Sequence, residues 1–246
     1  MHPTKFLLTL LTAILIFSTT FTHAQDEAPC DERIATHDAE ANACVQTNTI
    51  TLDLHYPDWL TAYPTLLDSV QDYLSASRSN FLLYMTDEYA TFPQDRPLFL
   101  EITYEQTAFS ENIVSLIFIE FYDIGGLYPL DEIHTFTFDL EHERVLTITD
   151  LFTADSDFTA LLIPHLIADI GADDISYFVG DNFTVDDLDD VNAYANFAVT
   201  EDALILLYPS FRSGPIHAGM MRVEIPLSEL AGILDTRLFS TLNFEN

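Results

Sequence analysis

Residues 113–152 constrain the fold most strongly, because they contain three strand-like segments joined by short connections. Apolar and β-branched residues crowd residues 113–122, a loop with two adjacent glycines follows, and strict alternation resumes over residues 133–140. A third such segment, residues 145–148, runs directly into a possible helix start. Alternation with period two, interrupted by glycine-containing loops, is typical of paired strands. This stretch therefore predicts the middle of a sheet, and it indicates no chemistry.

The flanking segments predict two main helices and further strands. Apolar residues recur at helical spacing from residue 66 to residue 82 and again from residue 158 to residue 170. Pro164 lies inside the second pattern and should kink that helix or divide it. The further strands are predicted at residues 49–56, 98–104, 196–200, 203–208 and 221–225, and a short helix at residues 226–230. Together these elements predict an α+β fold of mostly antiparallel sheet or sheets, with the two main helices packed on the faces.

The charge balance is the second constraint. The 246 residues include 40 Asp and Glu against 8 Lys and Arg, which gives a formal net charge of −32. A surface this negative repels DNA, RNA and anionic lipid, so nucleic-acid binding is excluded as a function. Two explanations stay open. The charge serves solubility, in particular in a salty medium, or it steers a cationic partner towards the protein.

The first 24 residues have the pattern of a signal peptide. Lys5 supplies the positive region, residues 6–17 supply the apolar region, and small residues precede a cleavage site after Ala24. The apolar run is short for the roughly 20 residues that a membrane span needs, and no other stretch is longer. We therefore expect a secreted or periplasmic, extracytoplasmic protein with no membrane span after cleavage.

Residues 25–48 are polar and acidic, and we expect them to form a linker with a weak helical run near residues 32–41. Cys30 and Cys44 lie within this linker. An even pair of cysteines in an exported chain predicts a disulfide, here as a structural staple. The pair has neither the spacing of a redox motif nor enough companions for a zinc site.

No catalytic or cofactor-binding motif stands out. The nucleophile elbow, the His-Glu-x-x-His pair and the phosphate-binding glycine loops are absent from the sequence. The acidic pairs Asp186-Asp187 and Asp189-Asp190 could gather Ca²⁺, but they lack the spacing of a calcium loop, which favours a solvated acidic loop. A strand histidine such as His134 is expected to pack among its neighbours. We expect no catalytic residue, no metal and no cofactor.

Several short motifs follow one another in a characteristic order. They are Tyr122-x-x-Gly125-Gly126-x-x-Pro129; Phe138-Asp139-Leu140, then Leu146-Thr147-Ile148-Thr149-Asp150-Leu151-Phe152; Asn196-Phe197-x-x-Thr200-x-Asp202, then Tyr208-Pro209; and His217-Ala218-Gly219, then Val223-x-Ile225-Pro226. In combination they resemble a secreted domain of unknown function, which occurs as the ectodomain of RsiV-type anti-sigma factors and beside the catalytic domain of PdaC-type peptidoglycan deacetylases. The resemblance implies a small α+β companion domain at residues 49–112, the main domain at 113–235 and a tail at 236–246.

The chain departs from this family at one loop position. The family's loop histidine is matched here by Tyr128, so a role that needs that imidazole is in doubt. We expect neither an attached deacetylase domain nor a sigma-binding helix in this chain. The resemblance implies an extracytoplasmic ligand-binding or sensing role, and it supplies no catalytic residues.

The candidate binding site is formed by two glycine-containing loops, residues 125–129 and 209–219, which we expect to line one surface. Its residues are Tyr122, Gly125, Gly126, Tyr128, Pro129, Tyr208, Phe211, Arg212 and His217. For the aromatic side chains, packing in the core is the alternative to contact with a glycan or a protein.

The leading hypothesis is an exported, non-catalytic ligand-binding or sensing domain of the bacterial envelope. Its ligand would be a cell-wall glycan or a basic protein such as lysozyme. One alternative is a carboxylate-dependent hydrolase of envelope polymers, which needs two acidic side chains facing each other across a cleft. The other is a structural domain whose acidic surface serves solubility.

Overall fold

The structure, a computed structural model, describes residues 35–38, 43–46, 50–87, 98–124, 129–170, 188–209 and 220–242. Over these residues it contains ten strands and three α-helices. The strands are β1 Ala35–Asp38, β2 Ala43–Gln46, β3 Ile50–Leu54, β4 Leu98–Ala108, β5 Ile113–Asp123, β6 Leu130–Asp139, β7 Arg144–Leu146, β8 Phe197–Val199, β9 Ala203–Tyr208 and β10 Met221–Pro226; the helices are α1 Pro64–Asp87, α2 Phe158–Ile170 and α3 Leu227–Leu230.

The larger sheet has five strands in the order β3-β4-β5-β6-β7, with β5 in its centre. β4, β5 and β6 form long antiparallel pairs, in which Tyr122 lies opposite both Leu100 and Leu130. β3 instead runs parallel to β4. A parallel neighbour requires a crossover connection, and α1 lies in the connection between the two strands. β4 and β5 pair along their length and lie on either side of residue 112, where the sequence predicts a domain boundary. That boundary stays a prediction.

Side-chain alternation gives the five-stranded sheet two different faces. Most even-numbered apolar residues of β4, β5 and β6 pack in one core with the apolar stripe of α1. The buried members from the helix are Leu66, Val70, Leu74, Phe81 and Leu82, and those from the sheet include Leu100, Ile102, Leu116, Phe118, Phe136 and Phe138. α1 therefore covers the even face.

A second sheet covers part of the odd face. It contains three antiparallel strands in the order β10-β9-β8. Ala198, Ile205 and Leu207 pack against Ile117 and Ile133 of the larger sheet. The opposite face of this smaller sheet shares a core with α2, formed in part by Leu162, Leu166, Leu204, Leu206, Val223 and Ile225. The order of layers is thus α1, five-stranded sheet, three-stranded sheet, α2.

The free edge of β8 is bonded by hydroxyl groups from the larger sheet. The backbone N–H of Phe197 donates to Oγ1 of Thr135 at 2.9 Å, and Oγ1 of Thr137 donates to the carbonyl of Phe197 at 3.4 Å. All of these groups are buried. Buried backbone groups must be paired, and here side chains supply the bonds that a further strand would otherwise make.

The same pattern is repeated one residue pair further along β8. The N–H of Val199 donates to Oγ of Ser115 at 2.9 Å, and Oγ1 of Thr107 donates to the carbonyl of Val199 at 2.9 Å. Ser115 and Thr137 also share a hydrogen bond of 2.9 Å. Because the Thr137 hydroxyl gives its proton to Phe197, Ser115 must be the donor in that bond.

The predicted fold class is confirmed: the protein is α+β, with mainly antiparallel sheets and two main helices. Two details differ. A β1–β2 hairpin lies within residues 25–48, and β1 occupies positions where a weak helical run was expected. Four-residue strands need little β-propensity when they pair locally, so they leave a faint pattern. α2 continues through Pro164 as one helix, so the proline does not divide it.

Candidate functional site

Three of the residues predicted to bind a ligand lie among the described residues. Tyr122 and Tyr208 are buried, at 6% and 4% exposure, and their rings pack in two different cores. This is the core-packing alternative that the sequence left open. Pro129 is exposed. The others, Gly125, Gly126, Tyr128, Phe211, Arg212 and His217, lie outside the described residues, so their role stays a prediction.

The proposed disulfide also depends on residues that are not described. Cys30 lies outside them, and only the backbone of Cys44 is described, in β2. The signal peptide falls in the same undescribed stretch at the start of the chain. Both assignments stay predictions.

The described residues that flank the two loops pack on opposite faces of the larger sheet. One loop joins β5 to β6 beyond Ile124, and the other joins β9 to β10 and ends before Met220. Met220 packs against the cluster that includes Ile117 and Ile119 on the odd face. Ile124 instead packs in the core with α1, on the even face.

The odd face continues past the smaller sheet as an exposed surface, which we call the open face. We define it by Thr51, Asp53, Phe99, Glu101 and Phe121, which come from β3, β4 and β5. Phe121 is 40% exposed, although it lies in the central strand. Its ring contacts that of Phe99, with centroids 5.5 Å apart at 45°. Phe99 itself is half-buried. Exposed aromatic surface on a sheet is the type of feature that marks a contact surface.

Carboxylates surround this aromatic pair. Asp53 and Glu101 are adjacent in register on neighbouring strands, and Glu101 is in turn opposite Phe121. Both carboxylates are exposed. His55 lies 2.7 Å from Asp53 and belongs to the same surface. The open face therefore combines aromatic area with negative charge.

The arginines whose ion pairs are described are bound to carboxylates, so they do little to offset this charge. Arg144 contacts Asp139 and Asp150, Arg222 contacts Glu105 and Glu224, and Arg237 contacts Asp235. Surface ion pairs of this kind contribute little to stability, but they neutralise the cations locally. The field around the open face is set by the excess of Asp and Glu.

A second polar cluster lies at the β6–β7 turn. The buried carboxylate of Asp139 accepts hydrogen bonds from the backbone N–H of His142 at 3.2 Å and from Nε of Arg144 at 3.4 Å, and Nδ1 of His142 lies 2.8 Å away. Nη1 of Arg144 continues to Asp150 at 2.8 Å. Burial acts to raise the pKa of Asp150, but hydrogen bonds from Thr147 and Arg144 outweigh it and hold that pKa below its usual value.

This second cluster is better suited to structure than to catalysis. A carboxylate that orients an exposed imidazole resembles the base of a catalytic dyad, and His142 is 66% exposed. Here, however, Asp139 also bonds the turn's backbone and Arg144, which makes it the centre of an ion-pair network that closes the turn. Sequence reasoning did not identify this network, although Asp139 and Asp150 lie in the motifs that carry the family resemblance.

A third cluster lies between α1 and the even face. The ring of His134 stacks on Tyr73, with centroids 4.4 Å apart at 14°, and the Tyr73 hydroxyl is 3.4 Å from Oε2 of Glu120. Burial lowers the pKa of His134 below its usual value. Burial, and then the charge of Glu120, raise the pKa of Tyr73. His134 therefore packs among its neighbours, as the sequence indicated.

The lowered pKa of His134 predicts a pH-dependent stability. Because this pKa lies below the unfolded value of about 6.5, the unfolded chain binds the proton first as the pH falls, so the free energy of unfolding decreases. We expect the melting temperature to fall between pH 7.5 and pH 5, and to fall less in a His134→Phe variant. His142→Gln is the matched control, since His142 is exposed. An equal pH dependence in all three proteins would contradict the assignment.

Two arrangements are absent from the described part of the chain. No group of three or more His, Cys, Asp or Glu side chains there is arranged to hold a metal ion. No described helix has the length and apolar character needed to span a bilayer.

Comparison with known proteins identifies relatives. Residues 149–228 match the family described as "Protein of unknown function (DUF3298)". The immunogenic protein MPT64 of Mycobacterium tuberculosis is 26% identical over 191 residues, which cover 75% of this chain and 76% of MPT64. The peptidoglycan-N-acetylmuramic acid deacetylase PdaC of Bacillus subtilis is 26% identical over 141 residues, which cover 55% of this chain and 29% of PdaC.

Two solved structures are similar to this chain. The first is a DUF3298 family protein from Pseudomonas aeruginosa, with a TM-score of 0.44 and 17% identity; the match covers 67% of this chain and 71% of that one. The second is a DUF3298 family protein from Bacteroides fragilis, with a TM-score of 0.43 and 19% identity; the match covers 69% of this chain and 68% of that one. The resemblance inferred from the sequence motifs is thus confirmed: over residues 149–228 this chain matches the domain family of unknown function DUF3298, and it is similar in sequence to PdaC.

Proposed function

We propose that this protein is an exported binding domain of the bacterial envelope, and that its open face binds a cationic partner, a basic protein in the first place. The observation that carries the proposal is the exposed Phe121 ring, packed against the half-buried ring of Phe99 on the sheet next to Asp53 and Glu101. The two predicted loops, residues 125–129 and 209–219, would contribute further contacts.

The combination of groups on the open face suits lysine and arginine. An aromatic ring face attracts a cation, and the aliphatic stem of a long basic side chain packs on apolar surface while its charged end stays in water. Neighbouring carboxylates add a directional ion pair. A net charge of −32 would further accelerate the approach of a basic protein by electrostatic steering.

The envelope setting is supported by two independent observations. The first 24 residues have the pattern of an export signal. PdaC, to which the chain is similar, is described as a peptidoglycan deacetylase, an activity directed at the cell wall. A role in sensing would follow if binding at the open face were transmitted to another component of the envelope.

A cell-wall glycan is the second candidate ligand. The specific observation in its favour is the same aromatic pair, because sugar rings stack on aromatic faces and carboxylates accept bonds from hydroxyls. Salt distinguishes the two candidates. Binding of a basic protein should weaken steeply as ionic strength rises, whereas binding of an uncharged glycan should change little.

Replacing both Phe99 and Phe121 with alanine should weaken binding of a basic protein by at least about tenfold, because each aromatic anchor of an interface contributes on the order of 1–2 kcal/mol or more. The measurement is isothermal titration calorimetry with the mature protein against lysozyme and against muropeptides, at low and high salt. Circular dichroism and thermal melts establish that the variant is folded.

Leu161→Ala serves as the control, because Leu161 is an exposed apolar residue, 42% accessible, on α2 rather than on the open face. It should leave binding unchanged. If the wild-type protein binds neither the basic protein nor the muropeptides, the proposed function is wrong. If it binds and the double phenylalanine variant binds equally well, the ligand uses another surface.

A further inference from the structure

The outer edge of β4 is open along half of its length. β3 pairs with β4 only from Leu98 to Ile102, and the last bond across this edge is from the N–H of His55 to the carbonyl of Ile102, at 2.9 Å. Among the described residues no strand lies beside residues 103–108 on that side. On the other side, pairing with β5 continues as far as Ala108.

The backbone groups at this edge are oriented for a further strand. N–H and C=O groups of alternate residues point to the same side of a strand. Since the carbonyl of Ile102 points towards β3, the N–H and C=O groups of Tyr104 and Gln106 point outwards. None of these backbone groups has a hydrogen-bond partner among the described residues. Both side chains are exposed, as are Thr103 and Glu105.

Near this edge Nε1 of Trp59 donates to the side-chain Oε1 of Gln106 at 2.8 Å, but the other usual forms of protection are missing from residues 103–108. Natural sheets guard exposed edges with proline, lysine, bulges or very short strands. Residues 103–108, Thr-Tyr-Glu-Gln-Thr-Ala, contain neither proline nor lysine, and the regular register with β5 excludes a bulge. The one charge is Glu105. A carboxylate repels acidic segments, but it attracts basic ones.

The charges near this edge of β4 indicate which kind of segment could pair with it. Glu101 and Glu105 lie on the odd face of β4. Arg222 already pairs with Glu105, with Nη1 3.5 Å from Oε2, so the overall excess of Asp and Glu, rather than Glu105 alone, makes these surroundings negative. A second copy of this chain would bring its own Glu101 and Glu105 against the same row, with a net charge of −32 on each molecule. A basic segment is complementary, whereas a second copy is not.

We infer that an extended segment of a basic partner adds to the edge of β4 at residues 103–108, as a sixth strand of the larger sheet. Backbone bonds to Tyr104 and Gln106 would supply affinity, and lysines or arginines at alternate positions would lie beside Glu105 on the same side as the open face. This inference rests on the proposed function and specifies how the cationic partner is bound.

The test uses a fluorescent peptide of eight residues with lysine at alternate positions, measured by anisotropy against the full mature chain. A second peptide has the same sequence but carries N-methyl groups on alternate backbone nitrogens, on the edge that would face β4. We expect the N-methylated peptide to bind at least about tenfold more weakly, which corresponds to about 1.4 kcal/mol. Amide exchange at Tyr104 and Gln106 should slow in the complex.

The matched protein variants are Tyr104→Pro and Tyr104→Ala. Proline removes the outward N–H of residue 104 and leaves the ladder with β5 intact, since that N–H points away from β5. Alanine removes the ring and keeps the N–H. We expect weaker peptide binding for Tyr104→Pro than for Tyr104→Ala, with thermal melts showing that both are folded.

Three outcomes overturn the strand-addition inference while the proposed function stands. The peptides bind equally well, or Tyr104→Pro binds as well as Tyr104→Ala, or a basic protein binds but the alternating peptide does not. Protection of the Tyr104 amide by self-association, without peptide, would identify a second copy as the occupant and also overturns it. If neither peptide nor basic protein binds, the proposed function itself is lost.

Discussion

Replacing Ser115 with alanine and Thr137 with valine in one chain should lower the free energy of unfolding by about 2–5 kcal/mol, which corresponds to a fall in melting temperature of roughly 5–15 °C. The two hydroxyls bond the free edge of β8 to the larger sheet. Without them the N–H of Val199 and the carbonyl of Phe197 stay buried and lose these partners. A buried backbone group without a partner costs about 1–3 kcal/mol.

The effect should be less than additive, because Ser115 and Thr137 are bonded to each other as well as to β8. Urea unfolding of the two single variants and the double variant gives the coupling energy directly. Thr103→Val is the matched control, since Thr103 lies on the same face but is exposed, and its effect should stay within about 0.5 kcal/mol. Unchanged stability of the double variant would show that these bonds do not hold the two sheets together.

Asp139→Ala is the second change with a large expected effect, a loss of about 2–4 kcal/mol. The buried carboxylate holds the backbone of the β6–β7 turn and Nε of Arg144. Its removal leaves the N–H of His142 without this acceptor and takes one of two carboxylates from Arg144. The expected value lies below that for a fully buried ion pair, because Arg144 is 44% exposed and keeps Asp150.

Asp72→Ala provides the comparison for Asp139→Ala, because it removes the same charge from an exposed position of α1. Thermal denaturation of both variants at pH 7 separates the lost hydrogen bonds from the change in net charge. Asp139→Asn, which keeps the shape, should fall between them. If Asp139→Ala and Asp72→Ala melted at the same temperature, the network around Asp139 would contribute no more than a surface charge does.

The sequence patterns predicted most of the elements correctly because those elements are regular and half buried. Strict alternation in β6, and apolar residues at helical spacing in α1, report directly which side of each element faces a core. Periodicity does not report which core that is. It therefore could not show that even and odd residues of β5 belong to different layers, with α1 on one side and the smaller sheet on the other.

The candidate site was predictable only in part. The motifs identified two loops, but the partly exposed pair of Phe99 and Phe121 was missed, because an apolar residue in an alternating strand is normally assigned to the core. The signal was present in the alternation itself, since both phenylalanines fall on the face opposite to Leu100 and Tyr122. Their exposure depends on how far the smaller sheet extends over that face, which no local pattern encodes.

By itself, the sequence determined the fold class, the resemblance to a domain of unknown function and a strongly negative net charge. These are properties of composition, of local period and of short motifs. Only the tertiary structure decided that four hydroxyls replace a strand beside β8, that Asp139 binds a turn and an arginine together, and that no described strand lies beside half of β4. Such features depend on contacts between residues distant in the chain, because burial and the pairing of polar groups are settled only when the layers pack.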